Sequence, residues 1–159
     1  MAVLVVTLAA PLAACGSPAS ESERADQSAI GEAVMADVGQ TVAAYNARDA
    51  ERAVRSTAPD FVQIAHGQPN ADQHANLANT SLAVADPALE MTINDEEVVV
   101  TQAGDMAIYS SRYAYTHTDP QTDEAVVEEG NWLLIYRRQP DGTIKIYREI
   151  VSALPAEAQ

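Results

Sequence analysis

In the first half of the chain the apolar residues recur at helical spacing, and in the second half they alternate. Between 29 and 48, Ile30, Val34, Val38, Val42 and Tyr45 mark the stripe of an amphipathic helix. Asp26 or Ser28 can cap its start. Asp49 can cap a second, short helix over 50–57, which Ala58-Pro59-Asp60 ends because a residue before proline avoids helical backbone. Phe61-Val62-Gln63-Ile64-Ala65 is a short strand closed by His66-Gly67. Asn70 then caps a third helix through Asn79, rich in Ala and Asn and so held by packing more than by propensity.

After Asp86-Pro87 the period changes. Leu89, Met91 and Ile93 share a face, and Val98 to Val100 continue the strand beyond Asp95-Glu96-Glu97, where the pattern predicts a bulge. Long alternating runs follow over 106–118, 125–138 and 143–152, separated by the turn residues 119–123 and by Pro140-Asp141-Gly142, a strong hairpin signal. Helices first and an antiparallel meander afterwards predict an α+β domain with helices covering one face of a curved sheet.

These strands carry large apolar residues on both faces. Tyr109, Tyr113 and Tyr115 oppose Met106 and Ile108; Trp132 and Leu134 oppose Leu133 and Ile135; Ile144, Ile146 and Ile150 oppose Tyr147 and Val151. Helices can cover one face only, so the pattern predicts a homodimer that buries the other.

The ends and the charge bear on where such a domain works. Residues 1–14 are apolar apart from Thr7, interrupted by Pro11, and short of the roughly 20 residues needed to span a bilayer. They have the length and the small closing residues of a secretory signal, though no Lys or Arg precedes Cys15. Leu12-Ala13-Ala14-Cys15 resembles the bacterial lipobox, which implies cleavage before Cys15 and its acylation. Residues 15–27 read as a flexible tether, 28–153 as the domain, and 154–159 as a disordered tail. Without 1–14 about 145 residues remain, enough for one domain. Asp and Glu number 23 against 9 Lys and Arg, a net charge of −14, so the surface repels nucleic acid and anionic headgroups. Contact with a membrane is then expected only through a lipid on Cys15, with the domain in the cell envelope, facing the periplasm, on the outer membrane if the host has one.

Tyr45-Asn46-Ala47-Arg48-Asp49, Ala58-Pro59-Asp60-Phe61-Val62, Gly130-Asn131-Trp132-Leu133-Leu134-Ile135-Tyr136-Arg137-Arg138 and Asp141-Gly142-Thr143-Ile144-Lys145-Ile146-Tyr147-Arg148-Glu149 together resemble the SnoaL-like branch of the nuclear transport factor 2-like superfamily. The match runs from about Ile30 to Ser152. It implies a cone-shaped sheet with three N-terminal helices on its concave face, a pocket between them, and often a homodimer. It says little about function, because the superfamily holds ketosteroid isomerases, polyketide cyclases, dehydratases, kinase association domains and non-catalytic binders. Ile144 departs from the usual aromatic, and Glu149 replaces a more usual Asp. Carried over from the isomerases, the tyrosine that polarises the substrate carbonyl falls on Thr41 and the aspartate that moves the proton falls near Ala65 or His66, so a steroid-type isomerase is not expected.

His66 remains the candidate general base, since an ordinary His titrates near pH 6.5; equally, a His before Gly can be a turn residue. Tyr109, Ser111, Tyr113, Tyr115 and His117 share one strand face, either a pocket wall or a dimer face, and Trp132 and Tyr136 share that ambiguity. Arg148 and Glu149 alternate, so at most one enters the cavity. His66, His74 and His117 lack ligand spacing, which predicts no metal, and no motif for a cofactor is present. The expectation is a domain binding a small, largely apolar molecule without catalysis, with Tyr45, His66, Tyr113, Tyr115 and Trp132 at the pocket. The alternatives are an isomerase, cyclase or dehydratase using His66 with a tyrosine hydroxyl, and a dimeric interaction module of the envelope.

Overall fold

The computed structural model describes residues 21–155. The signal at 1–14, Cys15 and the ends of the expected tether and tail lie partly or wholly outside that range. In chain order the elements are α1 (Glu21–Asn46), α2 (Ala50–Val54), β1 (Thr57–Ala65), β2 (Ala71–Asp72), α3 (Gln73–Val84), β3 (Glu90–Val100), β4 (Met106–Thr118), β5 (Ala125–Arg138) and β6 (Ile144–Ala153). They form an α+β domain in which helices cover one face of a curved, unclosed six-stranded sheet of order β2-β1-β6-β5-β4-β3.

Helix α1 starts within the segment expected to be tether, so Asp26 and Ser28 are helical residues rather than caps. That segment has no apolar stripe, but Glu, Arg, Ala and Gln are good helix formers, and the packed helix propagates back through them. Asp49 caps α2, accepting from the Arg52 amide at 3.0 Å. The cap of α3 is Asp72 rather than Asn70, because residues 71–72 are used as a short strand against β1. Its side chain accepts from the Ala75 amide at 2.8 Å. At its other end α3 runs on to Val84, past the Asn79 expected to close it, with Thr80 and Val84 buried.

β3 to β6 form the antiparallel meander, but β1 pairs with β6 in parallel, so the sheet is mixed rather than wholly antiparallel. The bulge expected at the acidic patch is present: the β3–β4 register shifts between Asn94 and Glu97, with Asp95 at φ 53°. A second bulge was not expected. Ile135 faces Arg148 and Tyr136 faces Ile146, which leaves Tyr147 as the extra residue in β6. Before it Ile146 points inward, and after it Glu149 does, three positions on; an unbroken strand would have sent Arg148 inward instead.

The core lies between α1 and the inner face of the sheet, where Val34 and Val38 meet Phe61, Tyr109, Leu134, Tyr136 and Ile146. Tyr109 and Trp132 pack edge to face at 5.9 Å. The end of α1 is pinned to β3 by Asn46, whose side chain both donates to the Met91 carbonyl and accepts from the Met91 amide at 2.8 Å. Among the described residues, no helix is long and apolar enough to cross a membrane.

Candidate functional site

Between the C-terminal half of α1, α3 and the inner face of the sheet the packing opens into a cavity of about 210 Å³. Tyr45 of α1, Thr80 and Ala83 of α3, and Met91 of β3 form one side. Tyr113 and Tyr115 of β4, Trp132 of β5, and Gln63, Glu149 and Val151 form the other, with Glu128 at the same wall.

Glu149 is only 9 % exposed. Trp132 Nε1 donates to one of its carboxylate oxygens at 2.7 Å and Gln63 Nε2 to the other at 3.2 Å. Burial raises the affinity of the carboxyl for its proton, and the two donors offset part of that effect. Burial also pushes the Tyr45 hydroxyl well above the usual phenol range, reinforced by the charge of Glu149, while the Tyr45–Thr80 contact at 3.3 Å opposes the shift. Thr41, which stands where the isomerase tyrosine would fall, is buried beside Glu149 on the wall of a small void of about 10 Å³. Its hydroxyl is a modest donor, and the void has room for roughly one water.

Tyr113 donates to Glu128 at 2.6 Å. Its ring lies across Gly130, the residue opposite it on β5, and a Cβ there would overlap the ring. Glycine at 130 therefore sets how far Tyr113 leans along the wall.

The structure brings Tyr45, Tyr113, Tyr115 and Trp132 to one cavity. His66 is elsewhere: it is exposed in the turn after β1, its amide donating to the Val151 carbonyl at 3.2 Å, and it does not line the cavity. The alternating face of β4 is the inner one, with Tyr109 and Ser111 in the core and Tyr113 and Tyr115 at the cavity. The sequence pattern did not single out Gln63 or Glu128, and it allowed one of Arg148 and Glu149 into the cavity without deciding which; the structure places Glu149 there. Gln63 was readable as a polar residue inside an apolar strand, whereas Glu149 reaches the cavity only because of the Tyr147 bulge. Among the described residues, no three His, Cys, Asp or Glu side chains group as a metal site.

No protein-family model matches the chain, and no curated protein matches it in sequence. Solved structures do match in fold. A nuclear transport factor 2-like protein with a cystatin-like fold from Novosphingobium aromaticivorans superposes with a TM-score of 0.69 at 17% identity, over 86% of this chain and 90% of that one. A nuclear transport factor 2-like protein of unknown function from Pseudomonas putida gives 0.67 at 18% identity, over 82% of this chain and 90% of that one. A ketosteroid isomerase-like protein from Erwinia carotovora gives 0.63 at 18% identity, over 80% and 96%. The fold is thus the cystatin-like fold of nuclear transport factor 2-like proteins.

Proposed function

We propose that the chain is an exported, lipid-anchored SnoaL-like domain that binds a small, largely apolar molecule in the cavity above Glu149 without turning it over. The cavity itself carries this reading. Its volume of about 210 Å³ exceeds the roughly 150 Å³ that admits benzene, and its walls combine rings and aliphatic groups with few polar contacts. Native mass spectrometry of protein from its own host tests it: a co-purified small molecule is expected, and protein that carries none and whose Trp132 emission ignores added ring compounds would count against it.

A second reading is favoured by the buried Glu149, since a carboxyl whose affinity for its proton is raised by burial in an apolar cavity suits proton transfer. In an enzyme of the isomerase, cyclase or dehydratase kind, Glu149 rather than His66 would be the proton carrier. Glu149→Gln should then lower turnover by about 100-fold while His66→Ala leaves it unchanged.

The envelope address rests on Leu12 to Cys15, and Cys15→Ala should release the protein from the membrane fraction. Self-association rests on the outer sheet face, where Ile108 is 40% and Ile64 41% exposed. Ile108→Asp should lower the sedimentation coefficient at micromolar concentration in 0.15 M salt; a native protein already sedimenting as a monomer would remove the dimer.

A further inference from the structure

Four aromatic residues and two carboxylates line the cavity: Tyr45, Tyr113, Tyr115, Trp132, Glu128 and Glu149. No Lys, Arg or His is among the lining residues. Arg48 and His117 neighbour Tyr115 but stand outside the lining, and Arg48 is engaged on the Pro87 carbonyl at 3.1 Å. From this combination we infer that the ligand of the cavity is an organic cation, a small amine or quaternary ammonium carried on an apolar body. The inference rests on the ligand-binding reading above and names its chemistry.

Aromatic faces carry negative potential, and a cation placed within about 6 Å of several of them is attracted by each. A carboxylate removed from water needs a countercharge, because its hydration is lost and hydrogen bonds from neutral groups restore only part of it. Neither Glu128 nor Glu149 has a salt bridge among the described residues. Both instead hold the tip of a cavity ring, Glu128 the Tyr113 hydroxyl at 2.6 Å and Glu149 the Trp132 indole N–H at 2.7 Å. The same two carboxylates therefore orient the rings and supply the negative charge between them. An anion would meet two like charges and no basic side chain. A neutral apolar molecule would fill the space but leave both carboxylates unmatched. At about 210 Å³ the cavity suits a cationic head on one ring, and the net charge of −14 draws cations toward the protein from a distance.

The test compares two isosteric probes, phenyltrimethylammonium and tert-butylbenzene, titrated calorimetrically into the full protein at pH 7 with emission from Trp132, the single tryptophan, as a second readout. The cation should bind at least about tenfold tighter. Glu149→Gln and Glu128→Gln should each shrink that preference, the cation losing more affinity than the neutral probe. Glu128 is half-buried at the end of the wall, so its variant keeps the test open should Glu149→Gln fail to fold, which circular dichroism reports. Equal affinities, or tighter binding of tert-butylbenzene, would overturn the cation inference and leave ligand binding standing. If neither probe binds, both fall together.

Discussion

On β5, Trp132, Leu134 and Tyr136 face the helices and are 3%, 1% and 1% exposed, whereas Leu133 and Ile135 between them face outward and are half-buried. The same contrast runs across the sheet. The inner face meets α1 and α3, and its large side chains end in polar tips that find partners: Tyr136 donates to Asp37 at 3.0 Å, Tyr109 to Glu96 at 2.9 Å and Trp132 to Glu149. The outer face carries plain aliphatic rows, Ile64-Ile150-Leu133 and Ile135-Ile108-Val99, bordered by a cluster in which Arg137 and Arg148 both stack on Tyr147 and Arg137 pairs with Asp60 at 2.8 Å. Alternation supplies apolar residues to both faces equally. Helices and one bulge decide which face becomes a chemical site: the bulge turns Glu149 inward and leaves Arg148 outside, so the carboxyl, not the guanidinium, meets the aromatic rings.

The difference is sharpest in the response to truncation. Leu134→Ala should cost about 2–5 kcal/mol, the range for opening a cavity in a packed core. Ile135→Ala, one residue along, should cost clearly less in dilute monomer, and urea denaturation of the two variants measures both. Next in size is Gly130→Ala. Its methyl group displaces the Tyr113 ring, for a loss of about 1–3 kcal/mol. Replacing Tyr113 with Leu in the same chain should recover part of that loss, and a double-mutant cycle shows whether the two positions are coupled.

The carboxyls of the two regions should also differ in sign. The folded state holds the Glu149 proton more tightly than the unfolded chain does, so this group makes stability fall as pH rises from the ordinary carboxylate range through the raised folded value. On the surface, Asp60 is held below its ordinary value by Arg137, Asp86 by the amide of Thr118, and Asp105 and Asp141 by the hydroxyls of Thr101 and Thr143. These stabilise the fold above the unfolded aspartate range, and the contribution is lost as pH falls through their folded values. Glu149→Gln should therefore remove the decline on the alkaline side and keep the one on the acid side, as thermal melts across pH will show. The smallest effect lies away from both faces: Asp49→Ala removes the cap of α2 and should cost about 1 kcal/mol.

Much of this fold was legible because β4 and β5 alternate without interruption and end at strong turn residues; their observed limits, Met106–Thr118 and Ala125–Arg138, are those the pattern predicts. The β3 bulge was legible too, since three consecutive acidic residues cannot alternate with a core. The start of α1 was not, because a solvated helical turn and a polar tether share a composition. Nor was the β2 strand, whose two residues carry no period at all. In the site, that Tyr113 and Tyr115 share a face follows from spacing alone, but which face they share depends on where the helices pack. Glu149 was the hardest case. Tyr147 is a good strand residue with neither glycine nor proline beside it, so nothing local marks the bulge that reverses the parity of β6. His66 drew interest from its place at a strand end, where the chain turns outward and away from the cavity.

Glu149 is a buried carboxyl that accepts a hydrogen bond from Trp132, and both the cavity chemistry and the pH dependence follow from it. Carbon-13 NMR of the glutamate side chains, recorded across pH together with the single indole N–H signal of Trp132, tests this directly. One glutamate carboxyl should titrate above the ordinary carboxylate range, and the indole signal should shift with the same midpoint. If every glutamate titrates in the ordinary range and the indole signal ignores pH, Glu149 does not face the cavity and the inward turn of β6 at Tyr147 is contradicted.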